Sequence, residues 1–180
     1  MSQELIEQLK ASLATSDATN RKFWAQWIIN DQIPLQSLMS LLHFGDGTSQ
    51  RFMWLIGDIC ELDPESVRPC LPMLFSLRNE MPFPGMPRSV AKWLWLTNVP
   101  VEMEAESVSQ LFAWMESESA SIACKSYAAK ALFDLATDRR ISSRRFVRCL
   151  EKEAEHENRA YGKRIRKILN GFPGDNFYTN

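Results

Sequence analysis

The chain has 180 residues, 45% apolar and 24% charged, the balance of a folded domain rather than of a disordered segment. No apolar run approaches the roughly 20 residues that a membrane span needs, and the acidic, amphipathic start Met1-Ser2-Gln3-Glu4-Leu5-Ile6-Glu7 lacks the basic region and apolar core of a signal peptide. The sequence therefore reads as a soluble, cytoplasmic protein. Its net charge of −1 hides a polarity, because residues 1–120 sum to −7 and residues 121–180 to +6.

Helical periodicity runs from end to end, and nothing reads as a strand of useful length. Leu5, Leu9 and Leu13 fall at i, i+4, i+8 and predict a first helix over 3–15. Ser16-Asp17 ends it and caps a second, in which Phe23, Trp24, Trp27 and Ile28 form an apolar stripe. Further helices are predicted over 34–43, 48–61, 64–79, 87–98, 104–117, 121–137, 141–156 and 158–170. The links between them are short and carry turn residues: Gly45-Asp46-Gly47, Asp63-Pro64, Pro82-Phe83-Pro84-Gly85, Val99-Pro100 and Asp138-Arg139. Short links between successive helices predict antiparallel hairpins stacked in order. The tail 171–180 is polar and aromatic and reads as flexible.

A repeat runs through these helices. Arg51, Arg88 and Lys125 are spaced by 37 and 37 residues, and Arg159 follows 34 later. Two positions after each comes Met53, Val90, Tyr127 or Tyr161, and Glu65-Ser66-Val67 is echoed by Glu106-Ser107-Val108. A period near 37 means helix pairs that bury their apolar faces only by stacking on neighbours. Ala128 and Ala131 are the small positions at which such helices would pack closely.

The segment Cys124-Lys-Ser-Tyr-Ala-Ala-Lys-Ala-Leu-Phe-Asp-Leu135 resembles the second-helix signature of HEAT repeats: an apolar residue, a basic one, two spacers, a small pair, then Ala-Leu and a further Leu. The match is good in that helix, partial at 50–61 and 87–97, and weak at 158–169. The resemblance implies an all-α, right-handed α-α superhelix forming one domain over 1–170. An N-terminal helical pair (1–33) would precede repeats at 34–62, 63–98, 99–137 and 138–170. In that family the second helices usually line the concave face, and the spaced basic residue often ties neighbouring repeats through an aspartate or a backbone carbonyl.

The ladder Arg51, Arg88, Lys125 and Arg159 has two readings, a groove for an acidic partner or a set of ties between repeats, and the tie is favoured because the spacing tracks the repeat. Trp24, Trp27, Trp54 and Trp114 lie on apolar stripes and are expected in the core. Trp93 and Trp95 point about 200° apart on a helix, so one of them is expected to be exposed or covered by an adjacent loop, and an exposed one would make a binding anchor. Trp54 and Asp58 also resemble the tryptophan and aspartate that HEAT-like glycosylases of alkylated DNA bases carry on a concave helix, with Arg88 as the nearest match to their arginine. The acidic balance of the surrounding repeats argues against the positive groove such an enzyme needs. Arg139, Arg140, Arg144, Arg145 and Arg148, then Lys163, Arg164, Arg166 and Lys167, make one basic region, read as the solvated closing face of the repeat array with Glu151, Glu153, Glu155 and Glu157 close by.

Cys60, Cys70, Cys124 and Cys149 are widely spread, without a Cys-x-x-Cys pair, and each falls among apolar helical positions, so they read as buried thiols and not as a zinc site. No phosphate loop, nucleophile elbow or paired carboxylates appear. The expected function is that of a non-enzymatic scaffold, without cofactor or metal, that binds a partner protein or peptide. Arg51, Asp58, Arg88, Lys92, Trp95, Lys125 and Lys130 are the candidate contact residues. Nucleic-acid binding is the alternative, most specifically as an alkylated-base glycosylase.

Overall fold

A computed structural model describes residues 3–45, 47–80 and 85–172. Among them the protein is all-α, with no strand. Ten α-helices follow in order: α1 (Gln3–Leu13), α2 (Ala18–Asn30), α3 (Thr48–Leu62), α4 (Pro64–Val67), α5 (Leu71–Ser76), α6 (Met86–Leu96), α7 (Glu104–Glu116), α8 (Ile122–Thr137), α9 (Ser143–Ala154) and α10 (Arg159–Gly171). Several of the starts carry side-chain caps. Asp17 accepts from the Asn20 N–H at 2.8 Å, Ser121 from Cys124 at 3.2 Å and Asn158 from Tyr161 at 3.0 Å, each satisfying a donor that the first turn leaves unpaired. Two ends use the left-handed conformation. After α2 and α8, Gln32 (φ 51°) and Arg139 (φ 59°) turn the chain, and the next N–H reaches back to Ile28 or Leu135.

Two predicted helices come out differently. Leu35–His43 winds as a 3₁₀-helix, and its fully buried Leu35, Leu38 and Leu41 recur every third residue, the period of that helix. The stretch predicted as one helix over 64–79 is broken into α4, a 3₁₀ turn at Arg68–Cys70, α5 and a second 3₁₀ turn at Leu77–Asn79. Pro69 and Pro72 each lack the N–H that a continuous helix needs, and each ring crowds the preceding turn.

The contacts divide the chain into two compact units, one ending at Thr97 and one starting at Asn98. In the first, α3 is central and packs on α1, α2, α4, α6 and the 3₁₀-helix. Its core holds Leu9, Leu13, Phe52, Leu55, Ile56, Ile59 and Trp93. In the second, α8 packs on α7, α9 and α10, around Phe112, Ala128, Leu132, Leu135, Phe146 and Ile165. Ala128 is fully buried and Ala131 nearly so, as close-packed small positions. Phe172 is buried against the rings of Phe133 and Phe146, both at 5.6 Å, while residues 173–180 of the expected flexible tail lie outside the described residues.

The expectation for the tryptophans needs correcting. Trp114 is buried, but Trp24 and Trp27 are only half-buried and Phe23 is 64% exposed, because the α2 stripe is wider than the face that α3 can cover, and Trp54 on α3 is half-buried at the edge of a cleft. Of the other pair, Trp93 is fully buried and Trp95 half-buried.

Candidate functional site

The first unit holds a cleft of about 310 Å³ between two matching helical faces. Met53, Trp54, Gly57 and Asp58 of α3 stand at i, i+1, i+4 and i+5, and so do Arg88, Ser89, Lys92 and Trp93 of α6. That spacing puts each quartet on one side of its helix. Arg21 reaches in from α2. Its Nε donates to Asp58 Oδ2 at 3.0 Å, with both side chains largely buried, and its guanidinium lies 5.3 Å from the Trp54 ring. Lys92 pairs with Glu61 at 2.7 Å. Arg88 is exposed and, among the described residues, has no ion-pair or hydrogen-bond partner.

The floor of this cleft carries an unusual group. Trp93 is fully buried, yet its indole N–H has no acceptor among the described residues. Leaving such a donor unpaired costs about 1–3 kcal/mol. Trp24 shows the ordinary solution, donating to Ser12 Oγ at 2.7 Å. Gly57 lies against the same spot: a Cβ built on it would sit 3.5 Å from Lys92 Nζ and 3.7 Å from Trp93 Nε1.

The chain was compared with protein-family models, curated proteins and solved structures. None matches it.

The second unit holds a cleft of about 430 Å³ along α9, lined by Arg144, Arg145, Arg148 and Lys152 on the basic side and by Glu116 on α7. Arg144, Arg148 and Lys152 recur every fourth residue, which spaces their Cα atoms about 6 Å apart along one ridge. Arg145 stacks its guanidinium 3.9 Å from the Phe112 ring centre, and Arg148 and Lys152 have no ionic partner among the described residues. Beneath them lies a buried network. Lys125 Nζ donates to both oxygens of Glu153 at 2.9 and 3.0 Å, and the Tyr161 hydroxyl donates to the same carboxylate at 3.0 Å. Burial and the Glu153 charge push the Tyr161 hydroxyl far above its ordinary pKa.

The candidate contact residues thus separate. Asp58, Arg88 and Lys92 share one cleft, together with Trp54. Arg51 folds over Gly47, its Nη1 2.9 Å from where a Cβ on that glycine would be, and neither Arg51 nor Trp95 lines the cleft. Lys125 is a structural tie between α8 and α9 with 5% of its side chain exposed, so it is closed to a partner. Lys130 lies 5.6 Å from the Tyr127 ring centre. Ties between helices also come from residues outside the ladder: Arg140 binds Glu104 at 2.6 Å and the carbonyls of Asn98 and Val99, holding the left-handed Asn98 turn in place. Arg21, Gly57, Ser89 and Trp93 were not singled out from the sequence. The one available signal was Gly57, a glycine in a helix interior, where it weakens the helix unless something approaches closely.

The four thiols are buried and unpaired. Burial pushes Cys60 and Cys124 up to about 12 and Cys70 and Cys149 up to about 11, so none is a ready thiolate at neutral pH. Among the described residues no group of three or more His, Cys, Asp or Glu side chains gathers to hold a metal, and no helix is long and apolar enough to cross a membrane.

Proposed function

We propose that the protein is a non-enzymatic interaction scaffold of the HEAT-repeat type, a right-handed superhelix of helix pairs that binds an acidic segment of a partner protein. The period near 37, the capped helix starts and the helix-to-helix ion pairs support the repeat reading. One observation carries the binding reading. In a chain of net charge −1, each unit has a cleft lined by more cations than anions, with Arg88, Arg148 and Lys152 lacking ionic partners among the described residues. Arginine beside a half-buried tryptophan or a phenylalanine ring is also the side-chain combination that anchors protein interfaces. The interspersed Glu116, Asp58 and Glu61 favour a mixed-charge protein segment over a uniform phosphate backbone.

The test is titration of a labelled Glu/Asp-rich peptide into the full chain, read by fluorescence anisotropy. Binding should weaken with salt, and Arg148→Glu with Lys152→Glu should weaken it about tenfold or more. Equal binding by the charge-reversed chain, or none by the wild type, overturns the proposal.

A second reading, an alkylated-base glycosylase, draws on the shared cleft of Trp54, Asp58 and Arg88. Against it stands Arg21, which already neutralises the carboxylate that would have to stabilise a cationic sugar. Release of methylated purines from DNA by the wild type and not by Asp58→Asn would establish it. Absence of release removes it.

A further inference from the structure

We infer that the α3–α6 cleft contains a seat for one oxyanion, a carboxylate or phosphate oxygen, received by the indole N–H of Trp93 and the ammonium of Lys92 with Arg88 at the rim. The inference rests on the reading of that cleft as a binding site and names the group it takes. Two donors define the seat. Lys92 Nζ and Trp93 Nε1 lie 3.5 and 3.7 Å from the point where Gly57 lacks a Cβ, and among the described residues no other heavy atom outside the local helix lies within 4 Å of that point. Both atoms donate and neither accepts. The polar atoms of other residues that face the bared Gly57 are therefore both donors, one of them a buried indole N–H without an acceptor among the described residues.

The rest of the wall fits the same ligand. Lys92 spends one hydrogen on Glu61 at 2.7 Å and keeps two. The Asp58 carboxylate, the one anion lining this cleft, is held by Arg21 and does not repel a ligand as a bare charge would. Arg88 is an exposed guanidinium without a partner among the described residues, and its planar fork suits a carboxylate or phosphate. Gly57 sits in mid-helix, where alanine would serve the helix better. Any side chain there would fill the seat.

The indole proton reports the seat directly. In the full ¹⁵N-labelled chain the indole signal of Trp93 is assigned by triple-resonance spectra and checked by its loss in Trp93→Phe. It is then followed during titration with sodium phosphate, with sodium acetate, and with sodium chloride at matched ionic strength. A saturable downfield shift with phosphate or acetate and not with chloride is expected, and the stronger of the two identifies the source as a phosphate group or an acidic side chain. Arg88→Gln should weaken it about tenfold. Gly57→Ala should abolish it in a chain that melts no lower than the wild type. A Trp93 signal that ignores both anions, follows chloride equally, or keeps its response in Gly57→Ala means that the seat holds water only and overturns the inference. The two readings fail separately. Acidic peptides that bind without moving the Trp93 signal sink the seat alone, and a responding seat in a chain that binds no acidic peptide sinks the partner reading alone.

Discussion

The clefts of the two units handle charge in opposite ways. In the first unit the ion pairs lie within the cleft wall, Arg21 with Asp58 and Lys92 with Glu61, and the floor carries a donor without an acceptor. In the second, the pair is buried in the floor of the cleft, where Lys125 and Tyr161 satisfy both oxygens of Glu153, and on the wall Arg148 and Lys152 have no ionic partner among the described residues. The same residue types therefore serve two purposes. A fully satisfied buried network fixes how helices pack, whereas a partly satisfied one leaves capacity for something outside the chain. The glycines differ in the same sense. Gly162 lies where α10 presses on α9, with no space for a Cβ, while a Cβ on Gly57 would make only ordinary contacts with Lys92 and Trp93.

Breaking the sealed pair should have the largest effect. Lys125→Met leaves the Glu153 charge buried with Tyr161 as its sole donor among the described residues, and should cost about 3–5 kcal/mol in urea unfolding. Arg21→Ala, which opens a pair with more access to water, should cost only about 1 kcal/mol. Equal losses would erase the distinction between the clefts. Adding Glu153→Gln to Lys125→Met should restore part of the loss, because the stranded charge is removed. Gly162→Ala comes next. Its Cβ would meet the Ala154 carbonyl oxygen at 2.9 Å, and since that atom is backbone the helices must separate, at about 1–3 kcal/mol.

Much of this architecture was legible in the sequence, for definite reasons. Asp17, Ser121 and Asn158 announce helix starts because a short polar side chain before an apolar stripe has few other uses. The break at 64–79 was legible too, had Pro69 and Pro72 been weighed against the apolar spacing of Val67, Leu71 and Leu74. The site was harder to see. Asp58 and Arg88 stand out as charges in the apolar patterns of α3 and α6, but the fate of Asp58 depends on Arg21, a residue 37 positions away, and no local pattern links those two. The ladder shows the same limit. Lys125 and Arg88 lie 37 residues apart and match in the sequence pattern, yet one is buried on Glu153 and the other is exposed, since partners from other helices decide the role. Trp93 was resolved from Trp95 only once α3 supplied the face against which it packs.

Alkali tests both units together at a smaller scale. The native thiols hold their protons up to about 11 or 12, whereas unfolding returns them to an ordinary value of 9.0. Near pH 7 both states are protonated and the thiols leave stability unchanged. As pH rises through 9 the unfolded chain releases protons that the native chain keeps, so stability falls, on the order of 1–2 kcal/mol by pH 9 for the four thiols. Urea midpoints measured from pH 7 to pH 9 should decline accordingly. A thiol reagent should find four reactive groups in denaturant and almost none in the native protein at pH 8.

The smallest effect is the most discriminating, because its sign opposes the rest. At Gly57 an added Cβ would make ordinary contacts, 3.5 and 3.7 Å from Lys92 and Trp93, so no helix need move. Alanine also removes the entropic weakness of glycine within α3, so Gly57→Ala should raise stability by up to about 1 kcal/mol in urea or thermal unfolding. Gly162→Ala should lower it. A chain that keeps a glycine where alanine would be more stable keeps it for space, and the two atoms bounding that space are both hydrogen-bond donors. If Gly57→Ala instead destabilises the fold, the glycine serves helix packing as Gly162 does, and the contrast between the two clefts loses its basis.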